Sequence, residues 1–275
     1  MGFGCNAVGV TGCRIIDSPR ERIMAILTNS FVPCNGRFPT IIAILAMFFA
    51  FGFTGVSAIL LTFVIILAVS MTFLVTRILS KTCLKGVPSS YILELPPYRT
   101  PQVGKVIIRS ILDRTVFVLG RAVAVAAPAG LVIWLAANIT VGDISILKHC
   151  ALFLDPFAKL LGLDGIILIA FILGFPANEI VIPIIIMAYT SGCTVAELSS
   201  AAEMKSLFIE NGWTWVTAVN TVLFSLFHWP CSTTLLTVRK ETGSFKWTVL
   251  AAMLPTAAGI LCCFAFTSIC RIFGA

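Results

Sequence analysis

The chain has 275 residues, of which 59% are hydrophobic and only 11% are charged, and its formal net charge is +7. A soluble globular domain carries about a quarter charged residues, so this composition excludes one and predicts an all-α, polytopic membrane protein. The positive charge does not indicate a nucleic-acid partner, because the basic residues lie mainly beside apolar runs, as they do in the cytoplasmic loops of membrane proteins.

Apolar runs of two kinds follow one another along the chain. Three of them are long enough to cross a bilayer, which takes roughly 20 residues: Thr54–Leu79, Thr115–Ile139 and Thr248–Ile269. The others, residues 1–52, 165–190 and 213–238, are broken by Gly, Pro and polar residues. Broken segments are tolerated in a membrane only when they are buried in protein or line a cavity. The pattern therefore favours a passage through the membrane over a simple anchor.

The charges of the connecting segments predict a topology. Arg77–Arg114 is strongly basic and is placed in the cytoplasm, whereas Val195–Asn211 is acidic and is placed outside. The connector carries "ELPPYRTP", in which the prolines forbid a helix, and an amphipathic helix is expected from Lys105. A short surface helix is expected around Leu147–Leu161. The charge assignments then favour a re-entrant hairpin at 165–190, turning near Pro176, followed by one crossing that "HWPC" interrupts.

Two pairs of short motifs suggest an internal repeat. "GFGCN" at 2–6 resembles "GFPAN" at 174–178, and "PCNGRFPT" at 33–40 resembles "PCSTTLLT" at 230–237, in the same order. Broken segments at corresponding positions of two halves are the best sequence indication of a transporter binding site. We therefore expect a two-fold repeat whose helix breaks form the functional site.

Glu179 is the most informative single residue, since it lies in the apolar run "GFPANEIVIPIIIMAY". A carboxylate at bilayer depth costs at least about 2–3 kcal/mol and usually has a function. The pattern predicts a gate, in which Pro176 and Pro183 bound a broken helix and the carboxylate faces a cation path. The alternative is that Glu179 only caps the helix that starts near Ile180.

Cys34 and Cys231 each follow a proline at a helix break, and Cys5 lies in the companion motif "GFGCN". Thiolates are soft ligands that suit iron, copper and zinc. The three cysteines are therefore candidate metal ligands along a path. The alternative is that they are small buried residues beside kinks.

Three further polar residues are candidates at the same motifs. His228 stands three residues before Cys231, a spacing that on a helix would place both on one face as a metal pair. The alternative for His228 is a hydrogen bond to a backbone carbonyl at a helix end. Asn6 and Asn178 have two open roles, either carbonyl ligands or partners for freed backbone groups. Nearby arginines, including Arg37, are expected in an interfacial ion-pair cluster with Asp17 and Glu21.

Several catalytic patterns are absent from the printed sequence. It contains no G-x-x-x-x-G-K-[ST] nucleotide-binding loop, no G-x-S-x-G and no H-E-x-x-H. Its polar loops are too short for a separate catalytic domain. We therefore expect no enzyme activity and no permanently bound cofactor.

The motifs "GFGCNAVGV", "RERIMAILTNSFVPCNGRFP", "ELPPYR", "GFPANEIVIP" and "HWPCSTTLLTVRKETGSFKWT" together closely resemble the membrane domain of FeoB-type ferrous iron transporters. The resemblance runs over essentially the whole chain. It implies Fe²⁺ uptake across the bacterial cytoplasmic membrane, with Cys5, Cys34, Cys231 and Glu179 on the iron path. It also implies paired gate domains that distantly resemble the re-entrant core of nucleoside transporters.

The resemblance further implies a division of the chain and a set of partners. Residues 1–79 would be the C-terminal part of a first gate repeat, residues 80–114 a basic connector, and residues 115–275 a second gate repeat. FeoB proteins begin with a GTP-binding domain that the motifs here do not include, so another chain or domain is expected to supply it. The other expected partners are membrane lipid and further copies of this chain. A carrier of a nucleoside-like solute and a non-transporting anchor for a separate GTPase remain the alternatives.

Overall fold

A computed structural model of the chain describes residues 2–49, 54–86, 102–109, 111, 116–141, 144–190 and 201–274. Helices account for almost all regular structure in those ranges, as expected. Two two-residue strands, β1 (Thr140–Val141) and β2 (Ile144–Ser145), pair antiparallel. The α-helices are α1 (Asn6–Gly12), α2 (Pro19–Thr28), α3 (Phe38–Phe49), α4 (Thr54–Lys81), α5 (Val103–Arg109), α6 (Phe117–Asn138), α7 (Ile146–Leu160), α8 (Gly165–Leu173), α9 (Val181–Tyr189), α10 (Ala201–Glu210), α11 (Trp215–Phe227), α12 (Ser232–Thr242) and α13 (Phe245–Ile272).

Among the described residues, three helical segments are long and apolar enough to cross a membrane: Gly55–Lys81, Trp215–Thr242 and Phe245–Ile272. They become four if α7 and α8, which meet at 109°, count as one bent span. The polytopic membrane architecture is thus confirmed. Helix α6 lies where another span is expected, and its crossing of the membrane stays a prediction.

The interrupted span differs from the other two in its surroundings. In Trp215–Thr242, 72% of the apolar window is buried inside the protein, against 17% and 22% in the two uninterrupted spans. Its break lies between α11 and α12, at the predicted "HWPC" motif. The broken segment is therefore enclosed by other helices, which supply the partners that its freed backbone needs.

Residues 165–190 form a helical hairpin. Helices α8 and α9 contact each other on either side of a break at 174–177. The Tyr189 hydroxyl at the end of α9 donates to the Asp164 carboxylate, and that carboxylate also caps α8 by accepting from the Ile167 N–H. The start and the end of the segment are therefore adjacent, as a hairpin requires. Pro183 does not bound the break as expected, because it lies in the first turn of α9, where a helix tolerates proline.

The two halves of the chain pack against each other around these breaks. Helix α1 contacts α12, and α3 contacts α11. The core between them is aromatic, with fully buried Phe31 and Phe227 at a centroid distance of 6.0 Å. Phe171 on α8 and Phe224 on α11 meet edge to face at 5.0 Å, a geometry worth about 0.5–1.5 kcal/mol beyond area burial.

Other predictions fall in part outside the described residues. The motif "ELPPYRTP" lies wholly outside them, as does the first part of the acidic segment at 195–200. The expected amphipathic helix begins at Val103 in α5, and the expected surface helix is α7. The division at residues 79 and 114 stays a prediction.

Candidate functional site: a junction of four helix breaks

Four interrupted segments, residues 2–6, 32–37, 174–180 and 228–231, meet between the packed helices; together they are called the junction below. Within the first half, the Asn35 N–H donates to the Gly4 carbonyl over 3.1 Å. Within the second half, the Ser232 N–H, at the end of its break, donates to the Phe175 carbonyl over 3.0 Å. The two halves therefore close their breaks in nearly the same way, as the repeated motifs predict.

Side chains join the two halves across the junction. Arg37 donates to the carbonyls of Leu226 and His228 over 2.9 and 2.8 Å. On the opposite side of the same turn, Gly36 lies against Glu179. A Cβ built on Gly36 would lie 3.3 Å from both Cγ and Oε1 of Glu179.

The three predicted cysteines all lie at the junction. Cys5 immediately precedes α1, Cys231 immediately precedes α12, and Cys34 is buried in the break before α3. The bond from the Asn35 N–H to the Gly4 carbonyl joins the residues next to Cys34 and Cys5, and Arg37 bonds the carbonyls of His228 and Trp229, just before Cys231. The Cys231 sulfur lies 3.3 Å from the Thr234 hydroxyl.

The three cysteines share the junction, but they do not form a compact metal shell. Across the described residues, no group of three or more His, Cys, Asp or Glu side chains is close enough to hold a metal ion. Their role as ligands therefore stays a prediction. The chemistry of the set, soft sulfur beside a hard carboxylate oxygen, suits a borderline-soft cation such as Fe²⁺.

Glu179 is exposed, and its carboxylate makes no hydrogen bond or ion pair with the part of the chain that the structure describes. It lies in the short 3₁₀ turn Asn178–Ile180 that leads into α9. Glu179 is the acidic residue of the first turn at this helix start, so the alternative that it favours the helix N-terminus through its charge stays beside the path role. The carboxylate is left available at the edge of the junction.

His228 is almost fully buried, and its ring packs against Phe171 and Phe224. Its Nδ1 lies 2.9 Å from the Ser225 carbonyl. Because a carbonyl can only accept, Nδ1 carries the proton, and in the neutral imidazole Nε2 holds a lone pair. Nε2 faces the side-chain amide of Asn178 at 3.3 Å, so a neutral imidazole requires that amide to present its NH₂ group.

The expected helical pairing of His228 with Cys231 is wrong, because α11 ends at Phe227 and α12 begins at Ser232. The two residues lie in the break itself and have different partners. The helix-end alternative for His228 is the one that the Nδ1 hydrogen bond supports. Asn178, which the sequence left open, bonds a side chain and not freed backbone.

Asn6 has the second role considered for the asparagines, as a partner for freed backbone groups. It is buried, and its amide, in the orientation that satisfies both groups, donates to the carbonyls of Gly2 and Val32 over 3.1 and 3.3 Å. Its own backbone carbonyl accepts from the Asn29 side chain over 2.9 Å. Asn6 thus satisfies backbone groups that the helix breaks leave free.

Arg37 does not belong to the interfacial ion-pair cluster that was expected. Its side chain is fully buried and bonds only to carbonyls, whereas Arg14 forms an exposed ion pair with Glu241 at 2.5 Å. The position of Arg37 in the sequence could have indicated its burial, because it lies between the Pro-Cys break and an apolar helix. A charged residue there must either reach the surface or find buried acceptors.

Comparison with known proteins gives the family context. The sequence family described as "Gate: Nucleoside recognition" matches residues 53–245. The "Fe(2+) transporter FeoB" of Staphylococcus aureus (strain MSSA476) is 29% identical over 99% of this chain and 40% of its own length. The proteins of the same name from Synechocystis sp. and Methanocaldococcus jannaschii are each 27% identical, over 97% and 91% of this chain. No solved structure matches.

These matches confirm the resemblance to FeoB-type transporters that the motifs carried. The chain spans about two fifths of the length of the curated relatives that it matches. The transport of Fe²⁺ is the activity that the names of these relatives give them, and for this chain it is the hypothesis to be tested.

Proposed function

Because this chain belongs to the Gate family, we propose that it forms the membrane passage of a ferrous iron uptake system. The observation that carries the proposal is that Cys5, Cys34, Cys231 and Glu179 all lie in the helix breaks of one junction. The choice of Fe²⁺ as the cation comes from the similar proteins, which are named Fe(2+) transporters. The buried, interrupted span Trp215–Thr242 supports a passage rather than an anchor.

Fe²⁺ would cross the junction by exchange between weak sites. A conducted ion must bind well enough to enter and weakly enough to leave. The unpaired Glu179 carboxylate offers oxygen at the edge, and the thiols of Cys34 and Cys231 offer sulfur within. Nε2 of His228 and the amides of Asn178 and Asn6 are predicted secondary ligands, of which Asn6 is the most committed to other bonds.

The coupling partner would be a GTP-binding domain or subunit, since the matched relatives are more than twice as long as this chain. The printed residues hold no nucleotide-binding loop, so we assign them permeation and not hydrolysis. We place the protein in the bacterial cytoplasmic membrane, where it contacts lipid and forms oligomers with further copies of itself.

The decisive test is ferrous iron uptake into proteoliposomes that hold this chain with and without the GTP-binding partner. We expect uptake that the Cys34→Ser/Cys231→Ser variant abolishes. The matched control is Cys83→Ser/Cys150→Ser, which changes two exposed thiols away from the junction and should leave uptake unchanged. Uptake that ignores the junction cysteines would remove them from the path. No uptake under any condition would favour the anchor.

One observation favours a second candidate, a carrier of a nucleoside-like solute: the matching family is described as nucleoside recognition. Asn178 and Glu179 would then bind the solute through hydrogen bonds, and the cysteines would only pack. Uptake of a radiolabelled nucleoside that survives Cys34→Ser/Cys231→Ser, with no flux of iron, would establish this candidate over the first.

A further inference from the structure

Arg37 carries a full positive charge in the interior of the junction. Its guanidinium is completely buried and donates to the carbonyls of Ser30, Leu226 and His228 over 2.8–2.9 Å, and of Trp229 over 3.3 Å. Three of those four carbonyls belong to the other half of the chain, about 190 residues away along the sequence. No carboxylate pairs with Arg37 among the described residues.

The end of α11 explains why a cation is stable there. The last carbonyls of a helix have no partner within the helix, and in a buried break no bulk water reaches them. They also carry the negative end of the helix dipole, which favours a positive charge. Arg37 meets both needs because its planar fork donates to several carbonyls in fixed directions.

The position of Arg37 links this bond set to the predicted path. It follows Cys34 by three residues and donates its backbone N–H to the Cys34 carbonyl over 2.9 Å, while its guanidinium bonds the carbonyls of His228 and Trp229, just before Cys231. The preceding residue, Gly36, lies against the side chain of Glu179, so that a Cβ on it would come within 3.3 Å of Cγ and Oε1. A shift of the Arg37 turn would therefore move a thiol and a carboxylate together.

We propose that Arg37 is a positioning residue that fixes the two halves of the junction relative to each other. Through the carbonyls at and just after the end of α11 it sets the separation of the Cys34 and Cys231 thiols, and through Gly36 it sets the place of Glu179. The proposal concerns the geometry of the junction and holds whichever solute crosses it.

The test is the rate at which Cys34 and Cys231 are joined by a short bifunctional methanethiosulfonate reagent in the purified full chain, with the linked peptides identified by mass spectrometry. Lysine keeps the charge but loses the fork, so Arg37→Lys should slow this cross-link by roughly tenfold. The matched control is Arg14→Lys, the same change at an exposed arginine that also joins the first half to α12 through Glu241. It should leave the rate unchanged.

A rescue experiment covers the case in which Arg37→Lys does not fold. Arg37→Ala purified with ethylguanidinium should recover both folding and cross-linking, whereas ethylammonium should recover neither. A wild-type cross-linking rate in Arg37→Lys would overturn the proposal. So would an equal loss in Arg14→Lys, or failure of ethylguanidinium to restore Arg37→Ala. Because no iron is present, these results are independent of ferrous uptake by the wild-type chain, whose absence would overturn the proposed function alone.

Discussion

The first-half and second-half breaks use equivalent side chains for different purposes. Asn6 in "GFGCN" bonds the backbone of its own half, whereas Asn178 in "GFPAN" faces the His228 ring. The charged residues differ in the same direction, since Arg37 is buried among carbonyls and Glu179 is exposed and unpaired within the described structure. Asn6 and Arg37 of the first half therefore act as scaffold residues, whereas the second half presents the exposed carboxylate of Glu179.

This asymmetry shows why a sequence repeat does not imply two equal sites. Buried backbone groups at each break need partners, and an unsatisfied one costs about 1–3 kcal/mol. In the first half, Asn6 and Arg37 satisfy carbonyls of both halves. The side chains of Glu179 and Asn178 do not bond these carbonyls, and four predictions test this difference between the two halves.

The largest effect is expected for Asn6→Ala, which leaves the carbonyls of Gly2 and Val32 without their side-chain donor. We expect the free energy of unfolding in detergent to fall by about 1–3 kcal/mol. Asn178→Ala removes only a 3.3 Å contact with an imidazole and should cost less. Denaturant titration of both variants measures the difference. An equal or larger loss for Asn178→Ala would contradict the scaffold role of the first half.

The next effect concerns transport. Glu179→Gln removes the unpaired charge but keeps its shape, so ferrous uptake should fall by roughly tenfold, about 1.4 kcal/mol of barrier. Membrane insertion and thermal stability should not change, because Glu179 makes no bond that the fold depends on. The matched control is Glu210→Gln, at an exposed acid on α10 away from the junction. Wild-type uptake in Glu179→Gln would remove the carboxylate from the path.

The sequence predicted the parts of this site that depend on local chemistry. Prolines and polar residues in apolar runs located the breaks near Pro176 and at "HWPC", because freed backbone groups must be buried in protein, and the charges of the flanking loops favoured the hairpin at 165–190. The repeated motifs predicted that Cys5, Cys34 and Cys231 lie at corresponding helix breaks, and the structure places them there. Each of these predictions depends on residues that are close together in the sequence, so it can be made without knowing how the helices pack.

The parts that failed depend on partners far along the chain. Arg37 was assigned to a surface cluster because its acceptors are backbone carbonyls at the end of α11, which no side chain marks in the sequence. The carbonyl of Leu226, for example, lies 189 residues away along the chain. Pro183 was taken as a boundary of the break, but it lies in the first turn of α9, where a helix tolerates proline. The His228–Cys231 pairing required one helix through both residues, whereas α11 ends at Phe227.

A smaller effect is expected for Gly36→Ala, which tests the contact between the halves at Glu179. The new Cβ would lie 3.3 Å from Cγ and Oε1 of Glu179, so the carboxylate must shift by a few tenths of an ångström. We expect ferrous uptake to fall by roughly two- to fivefold, less than one decade of rate. Gly55→Ala is the matched control, since nothing lies within 4 Å of its Cβ. An equal effect at Gly55 would show that the contact with Glu179 does not matter.

The smallest effect is expected for Arg14→Met, which removes the other arginine that joins the two halves. Arg14 and Glu241 meet at 2.5 Å, but the Arg14 side chain is 59% exposed. Water and salt screen such a pair, so its loss should lower the free energy of unfolding by less than about 1 kcal/mol, and by less still at high salt. Denaturant titrations at low and high ionic strength measure both. A loss as large as that of Asn6→Ala would mean that the surface ion pair, and not the buried backbone bonds of the first half, holds the halves together.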